Sequence, residues 1–117
     1  MAQVLNWVEI PAADFDRAVR FYGAVLGREV PVGEFMGVPH GFLQDDQGER
    51  GGAVIPGEPV SGGPLIYLNA APDLAAAVAR VETAGGRVVQ PTTPIGEQGA
   101  IAIIADSEGN RVGLHAA

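Results

Sequence analysis

Val8 to Pro31, VEIPAADFDRAVRFYGAVLGREVP, is the stretch from which the rest of the chain can be read. It spells strand, turn, helix, glycine stop and strand. Asp14 suits an N-cap, because its carboxylate can accept from the unpaired amides of the first helical turn and sits at the positive end of the helix dipole. Phe15, Ala18, Val19, Tyr22, Val25 and Leu26 follow at the spacing of a helix with one buried face. Gly27 supplies the backbone freedom that ends it. Phe21 and Tyr22 are read as core, and Asp14 as a cap without chemistry.

The chain repeats the pattern. A shift of 59 residues lays Asp14–Pro31 over Asp73–Gln90, and six of eighteen positions agree: Asp14/Asp73, Ala18/Ala77, Val19/Val78, Gly27/Gly86, Arg28/Arg87 and Val30/Val89. Cap, apolar face, glycine and the Arg-x-Val entry to the next strand recur in register, so the chain reads as two copies of one unit.

At 117 residues the chain suffices for one ordinary domain. Half of it would be marginal alone, so the halves are expected to share a core or to complete each other across a homodimer. Unit one is placed at residues 1–56, a Pro/Gly/Ser-rich linker at 57–63 and unit two at 64–117. A net charge of −7, with no run of Lys or Arg, argues against nucleic-acid and anionic-membrane partners. Cysteine is absent, which removes disulfides, thiolate metal sites and a Cys nucleophile. No apolar run has the length of a membrane span and no signal peptide is evident, so a cytoplasmic setting is expected.

In order, strands are expected at Val4–Ile10, Arg28–Met36, His40–Gln44 and Glu49–Ile55, the last two joined by the DDQG turn at Asp45–Gly48. The second unit is expected to run as a strand at Leu65–Ala70, a helix at Asp73–Ala84 and strands at Arg87–Gln90, Gln98–Ala105 and Arg111–His115, with the DSEGN turn at Asp106–Asn110. Each unit is thus β-α-β-β-β, and the fold class is α+β with two such tandem units forming a curved mixed sheet.

Two segments carry a family resemblance: VEIPAADFDRAVRFYGAVLG at Val8–Gly27 and DSEGNRVGLH at Asp106–His115. They resemble the opening strand and helix, and the closing hairpin, of the vicinal oxygen chelate superfamily, which comprises glyoxalase I, bleomycin-resistance proteins and extradiol dioxygenases. The resemblance implies a pocket enclosed by the curved sheet. It also implies, for metal-dependent members, up to four His, Gln or Glu ligands on matching strands. Counting fourteen residues back from Phe21 puts the first such position at Trp7, and the 59-residue shift puts its counterpart at Ile66. Counting four on from Gly109 gives Gly113, and the matching hairpin gives Gly52. None of the four is a metal ligand, and their neighbours Val8, Ala53, Tyr67 and Leu114 are no better. The expectation is therefore a member without metal or cofactor.

Strand alternation puts Trp7 and Glu9 on the pocket face, with Val8 and Ile10 toward the helices. The same alternation sends Ile66 and Leu68, and Arg111, Gly113 and His115, to the pocket. An indole, two glycines and aliphatic walls suit an apolar or aromatic small molecule. Glu9 is the candidate catalytic residue, as a general base or hydrogen-bond acceptor; the plainer reading pairs it with Arg111 or Arg50. His40, with Glu9 and His115, forms the only set that could improvise a metal site. Two functions follow: a small-molecule binder of resistance or sequestration type, working as a homodimer, or a glyoxalase- or dioxygenase-like enzyme using rearranged ligands or acid–base chemistry at Glu9.

Overall fold

Asp14 has extended backbone (φ −122°, ψ 99°), and its carboxylate accepts the Arg17 amide at 3.1 Å. The helix α1 (Phe15–Leu26) therefore starts where its cap stands, and it stops at Gly27, whose φ of 67° is left-handed and whose amide donates to the Gly23 carbonyl at 3.0 Å. Asp73 repeats the device by accepting the Ala76 amide at 3.0 Å and opening α2 (Leu74–Val81). That helix is shorter than the expected Asp73–Ala84. Residues 82–84 continue as turns that close when the Gly86 amide donates to the Val81 carbonyl at 2.9 Å.

The computed structural model describes residues 5–117. In the first unit β1 (Val8–Ala12), β2 (Val32–Phe35), β3 (Val38–Gln44) and β4 (Arg50–Pro56) form a sheet in the order β1-β4-β3-β2. In the second, β5 (Tyr67–Asn69), β6 (Arg87–Pro94), β7 (Ala100–Ala105) and β8 (Arg111–Ala116) form a sheet in the order β5-β8-β7-β6. Each first strand runs parallel to the last of its unit, and the remaining pairs are antiparallel. Each α+β unit thus builds its own four-stranded mixed sheet in the same β-α-β-β-β order.

Three strands are shorter than expected: β2 begins at Val32 rather than Arg28, β5 spans only Tyr67–Asn69 and β7 begins at Ala100. Two others extend past their expected ends for one shared reason. Residue 4 of the expected first strand lies outside the described residues; β1 itself begins at Val8 and passes through Pro11 to Ala12. Strand β6 likewise passes through Pro91 to Pro94, with register shifts on either side of Gln90. Both are edge strands with a partner on one side only, where a residue without an N–H is tolerated.

The core is shared. Ile10, Ala12, Phe21, Tyr22, Val25 and Val54 of the first unit pack in one cluster with Leu74, Val81, Ile104, Val112 and Leu114 of the second. Polar contacts cross the same boundary. The Tyr22 hydroxyl donates to Asp106 Oδ2 at 2.6 Å, and the Asn110 amide group donates to that oxygen at 2.9 Å and to the Pro11 carbonyl at 2.7 Å. Asp106 Oδ1 accepts the Glu108 and Asn110 backbone amides, each at 2.9 Å. Glu108 accepts the Asp14 amide at 2.7 Å and both Arg17 Nε and Nη2, at 2.7 and 2.9 Å. At the other end of α1, the Arg80 guanidinium donates to the Ala24 and Val25 carbonyls, each at 2.9 Å, satisfying two orphan acceptors from α2.

Burial, with the Asp106 carboxylate beside it, raises the Tyr22 phenol well above its ordinary pKa. Tyr22→Phe removes one charge-assisted hydrogen bond while Asp106 keeps its other donors. A loss of about 2 kcal/mol is expected in urea denaturation.

The Arg17 hydrogen bond lowers the Glu108 carboxyl to about 2. In the unfolded chain a glutamate titrates near ~4.3. The folded state therefore binds the proton less well, and the contribution of Glu108 is complete above the unfolded value and lost as pH falls from about 5 toward 2. Urea midpoints measured across that window should fall less steeply with acidification in Glu108→Gln than in the parent chain.

Candidate functional site

Alternation along β3 turns His40 and Phe42 to the sheet face away from the helices, and register brings three further residues beside them. Ala53 separates Glu9 from Phe42 across the sheet, while β2 lays Gly33 opposite His40 and Phe35 opposite Val38. Trp7, Glu9, Phe35, His40 and Phe42 line a cavity of about 370 Å³. Its rings meet at angles: Trp7 and Phe42 are 6.4 Å apart at 66°, Phe35 and His40 5.8 Å apart at 71°, and His40 and Phe42 5.6 Å apart at 34°. The Arg50 guanidinium lies 4.0 Å from the Phe42 ring centre, and its Nε donates to Gln44 Oε1 at 3.2 Å.

The polar groups of the cavity are two. His40 is 5% exposed, and its Nδ1 lies 2.9 Å from the Val38 carbonyl oxygen. A carbonyl can only accept, so Nδ1 carries the proton and Nε2 points toward Glu9, 4.0 Å from Oε2. Glu9 is half-exposed and makes no ion pair with Arg50 or Arg111 among the described residues.

The other candidates are distributed differently. Glu9 also borders a 220 Å³ cleft with Ile66 and Arg111, and Gly52, Ile66 and Leu68 border a 650 Å³ cleft with Leu43 and Tyr67. His115 Nε2 pairs with the Gln98 carbonyl at 2.7 Å, away from Glu9 and His40. Among the described residues, no three His, Cys, Asp or Glu side chains converge as a metal site would require.

Two positions are corrected in phase. Ala12 reaches its cap through Ala13 alone, whereas Ala70 reaches Asp73 through Ala71 and Pro72. The opening strands therefore match at a shift of 58 although the helices match at 59. Ile10 and Leu68 both pack on the core, and Tyr67, not Leu68, takes the face that Glu9 takes in the first unit. On the closing strands Val54 matches Leu114, so Ala53 stands opposite Glu9 as Gly113 stands opposite Tyr67. Gly52 turns to the core side. A Cβ there would collide with the Val8 carbonyl, and one on Gly113 would collide with the Tyr67 ring, so neither glycine leaves open space. Phe35 and Phe42 went unnoticed in the sequence. The His-Gly-Phe alternation held the signal for Phe42, whereas Phe35 arrives through the β2–β3 turn.

Residues 4–114 match the family model of the Glyoxalase/Bleomycin resistance protein/Dioxygenase superfamily. The chain belongs to that superfamily. It is 33% identical over 93% of its length to CFP32 of Mycobacterium tuberculosis, a protein carrying a provisional glyoxylase name, and it spans 44% of the length of that relative. Among solved structures it resembles a glyoxalase-related enzyme from Fulvimarina pelagi (TM-score 0.68, 20% identity, 98% of this chain and 88% of that one). A glyoxalase/bleomycin resistance protein from Albidiferax ferrireducens T118 is similar to the same degree (TM-score 0.68, 18% identity, 96% and 98%). At these identities the structural likeness establishes the fold.

The ligand positions implied for metal-dependent superfamily members hold Trp7, Gly52, Ile66 and Gly113 here. The phase set by the structure substitutes Ala53 for Gly52 and adds Glu9 and Tyr67 on the facing strands. One carboxylate and one phenol on separate sheets do not fit an N/O-coordinated transition ion.

The two glycines separate backbone from side-chain constraint. Gly52→Ala should lower stability by about 1–3 kcal/mol, because the obstacle is the Val8 backbone. Gly113→Ala meets the half-exposed Tyr67 ring, which can rotate away, and should cost less. Thermal denaturation of the two variants side by side checks the order.

Proposed function

We propose that this superfamily member is a small-molecule-binding protein of resistance or sequestration type, taking an apolar or aromatic ligand at the Trp7–Glu9–Phe35–His40–Phe42 cavity without a protein-held metal. The observation that carries this reading is the lining itself: three aromatic side chains around one carboxylate and one buried imidazole. The cavity falls within the ~300–1,000 Å³ of small-molecule sites, which pair apolar walls with a few polar groups. Offset or edge-on stacking against Trp7 or Phe42 would add about 0.5–1.5 kcal/mol beyond the area buried. Sequestration needs no more than this. Trp7, Glu9 and His40 are the sequence candidates that this reading retains, while Ile66 and Arg111 border the adjoining cleft.

The functional form is proposed to be a homodimer in the cytoplasm. In support of the dimer, Phe35 and Met36 stand 60% and 86% exposed at the β2–β3 turn, Phe35 being part of the cavity wall, and exposed apolar surface of this kind marks interaction sites. No helix among the described residues is long and apolar enough to cross a membrane.

One observation favours an enzymatic second reading. With Nδ1 anchored, His40 Nε2 faces Glu9 across 4.0 Å, an arrangement that could pass a proton to or from a ligand between them. Glu9→Gln would then abolish turnover with little change in melting temperature.

Native mass spectrometry of the chain purified without added metal tests the main reading. A metal-free dimer is expected, and a stoichiometric transition ion would overturn it. Phe42→Ala should weaken binding of 2-naphthol about tenfold by calorimetry, while leaving the dimer intact.

A further inference from the structure

The Val38 carbonyl settles the direction of the His40 ring, and with it the chemistry that the cavity lacks. Since Nδ1 must donate to that carbonyl, a neutral His40 presents a lone pair at Nε2. What it faces, 4.0 Å away, is a carboxylate oxygen of Glu9, which also only accepts. Two acceptors confront each other at a spacing too long for a hydrogen bond, with a nine-tenths-buried imidazole on one side. A ligand that places N–H donors between them can satisfy both at once. Around the pair stand Trp7, Phe35 and Phe42, whose ring faces attract cations. One face of Phe42 is already covered by the Arg50 guanidinium, which lies outside the cavity wall. The chain's net charge of −7 adds a general attraction for positive ligands.

We infer that the cavity is a site for an aryl-alkyl ammonium, a protonated primary or secondary amine joined to an aromatic ring. The ammonium N–H groups donate to Glu9 Oε2 and His40 Nε2, and the aromatic ring packs against Trp7 and the phenylalanines. A charge-assisted hydrogen bond to Glu9 in a mostly apolar cavity is worth more than a neutral one, so charge rather than ring area sets the preference. The inference rests on the proposed reading of this cavity as a ligand site and narrows it from apolar or aromatic compounds to cationic ones.

The test uses the full chain and its single tryptophan, Trp7, as reporter, excited on the red edge where simple phenyl compounds do not absorb. Four probes of one shape are titrated: 2-phenylethylammonium, its N-trimethyl analogue, 2-phenylethanol and phenylacetate. The primary ammonium should bind about tenfold tighter than the alcohol, and phenylacetate should bind weakest. The trimethyl compound, which keeps the charge and loses every N–H, should fall below the primary ammonium. Glu9→Gln, a change at a half-exposed side chain, should remove most of the preference for the ammonium over the alcohol. Equal binding of ammonium and alcohol, or an ammonium preference that survives undiminished in Glu9→Gln, overturns the inference while the cavity remains a ligand site. Equal binding of the primary and trimethyl compounds overturns the two-acceptor assignment. Failure of all four to alter Trp7 emission overturns the inference and the ligand-site reading together.

Discussion

The Asp106 carboxylate is the joint on which both units turn. It is 3% exposed, and each of its oxygens is shared between two donors: backbone amides of its own hairpin on one side, and Tyr22 and Asn110 on the other. A buried charge is tolerated only when its lone pairs are filled in this way, and losing one partner leaves the rest in an apolar setting. Because Tyr22 lies on α1 and Asn110 reaches the Pro11 carbonyl, the closing hairpin of the second unit fixes the opening strand and helix of the first. Glu108 completes the joint at the Asp14 amide, one of the donors that the cap of α1 leaves free. The face bearing Trp7 and Glu9 is thus oriented by the contact at the β1 edge and by Ile10 and Ala12, which pack into the shared core from its other face.

Local chemistry made the fold legible. Asp14, Gly27, Asp73 and the DSEGN turn act through their own backbone neighbours, so their effect could be read without knowing what packs nearby. Phase along a strand is different, because it depends on how many residues separate the strand from the next fixed point. Pro72 adds one residue before the second cap, and that insertion turned Leu68 inward and Tyr67 outward. The repeat was identifiable from the helices, but the helix shift does not carry over to the strands beside them.

The site was legible in part for the same reason. Trp7 and Glu9 follow from alternation along one strand, and they do line a cavity with His40. Phe35 comes from a neighbouring strand whose register is set by a two-residue turn at Met36 and Gly37, both at positive φ, and no pattern along the chain predicts that approach. Meanwhile the two glycines that looked like open space are filled by their partner strands. A missing side chain in a parallel pair reflects the closeness of the neighbouring strand as readily as room for a ligand.

The prolines of β1 and β6 bear on how the chain meets other chains. An exposed strand edge is a template for further strands, and it is the usual route from a folded sheet to aggregation. Pro11 on one outer edge, with Pro91 and Pro94 on another, takes away donors that an added strand would need. The two remaining edges are β2 and β5, of four and three residues. Continuous sheet growth is thereby discouraged at every border, which leaves side-chain faces as the surfaces through which copies of this protein can recognise one another without polymerising.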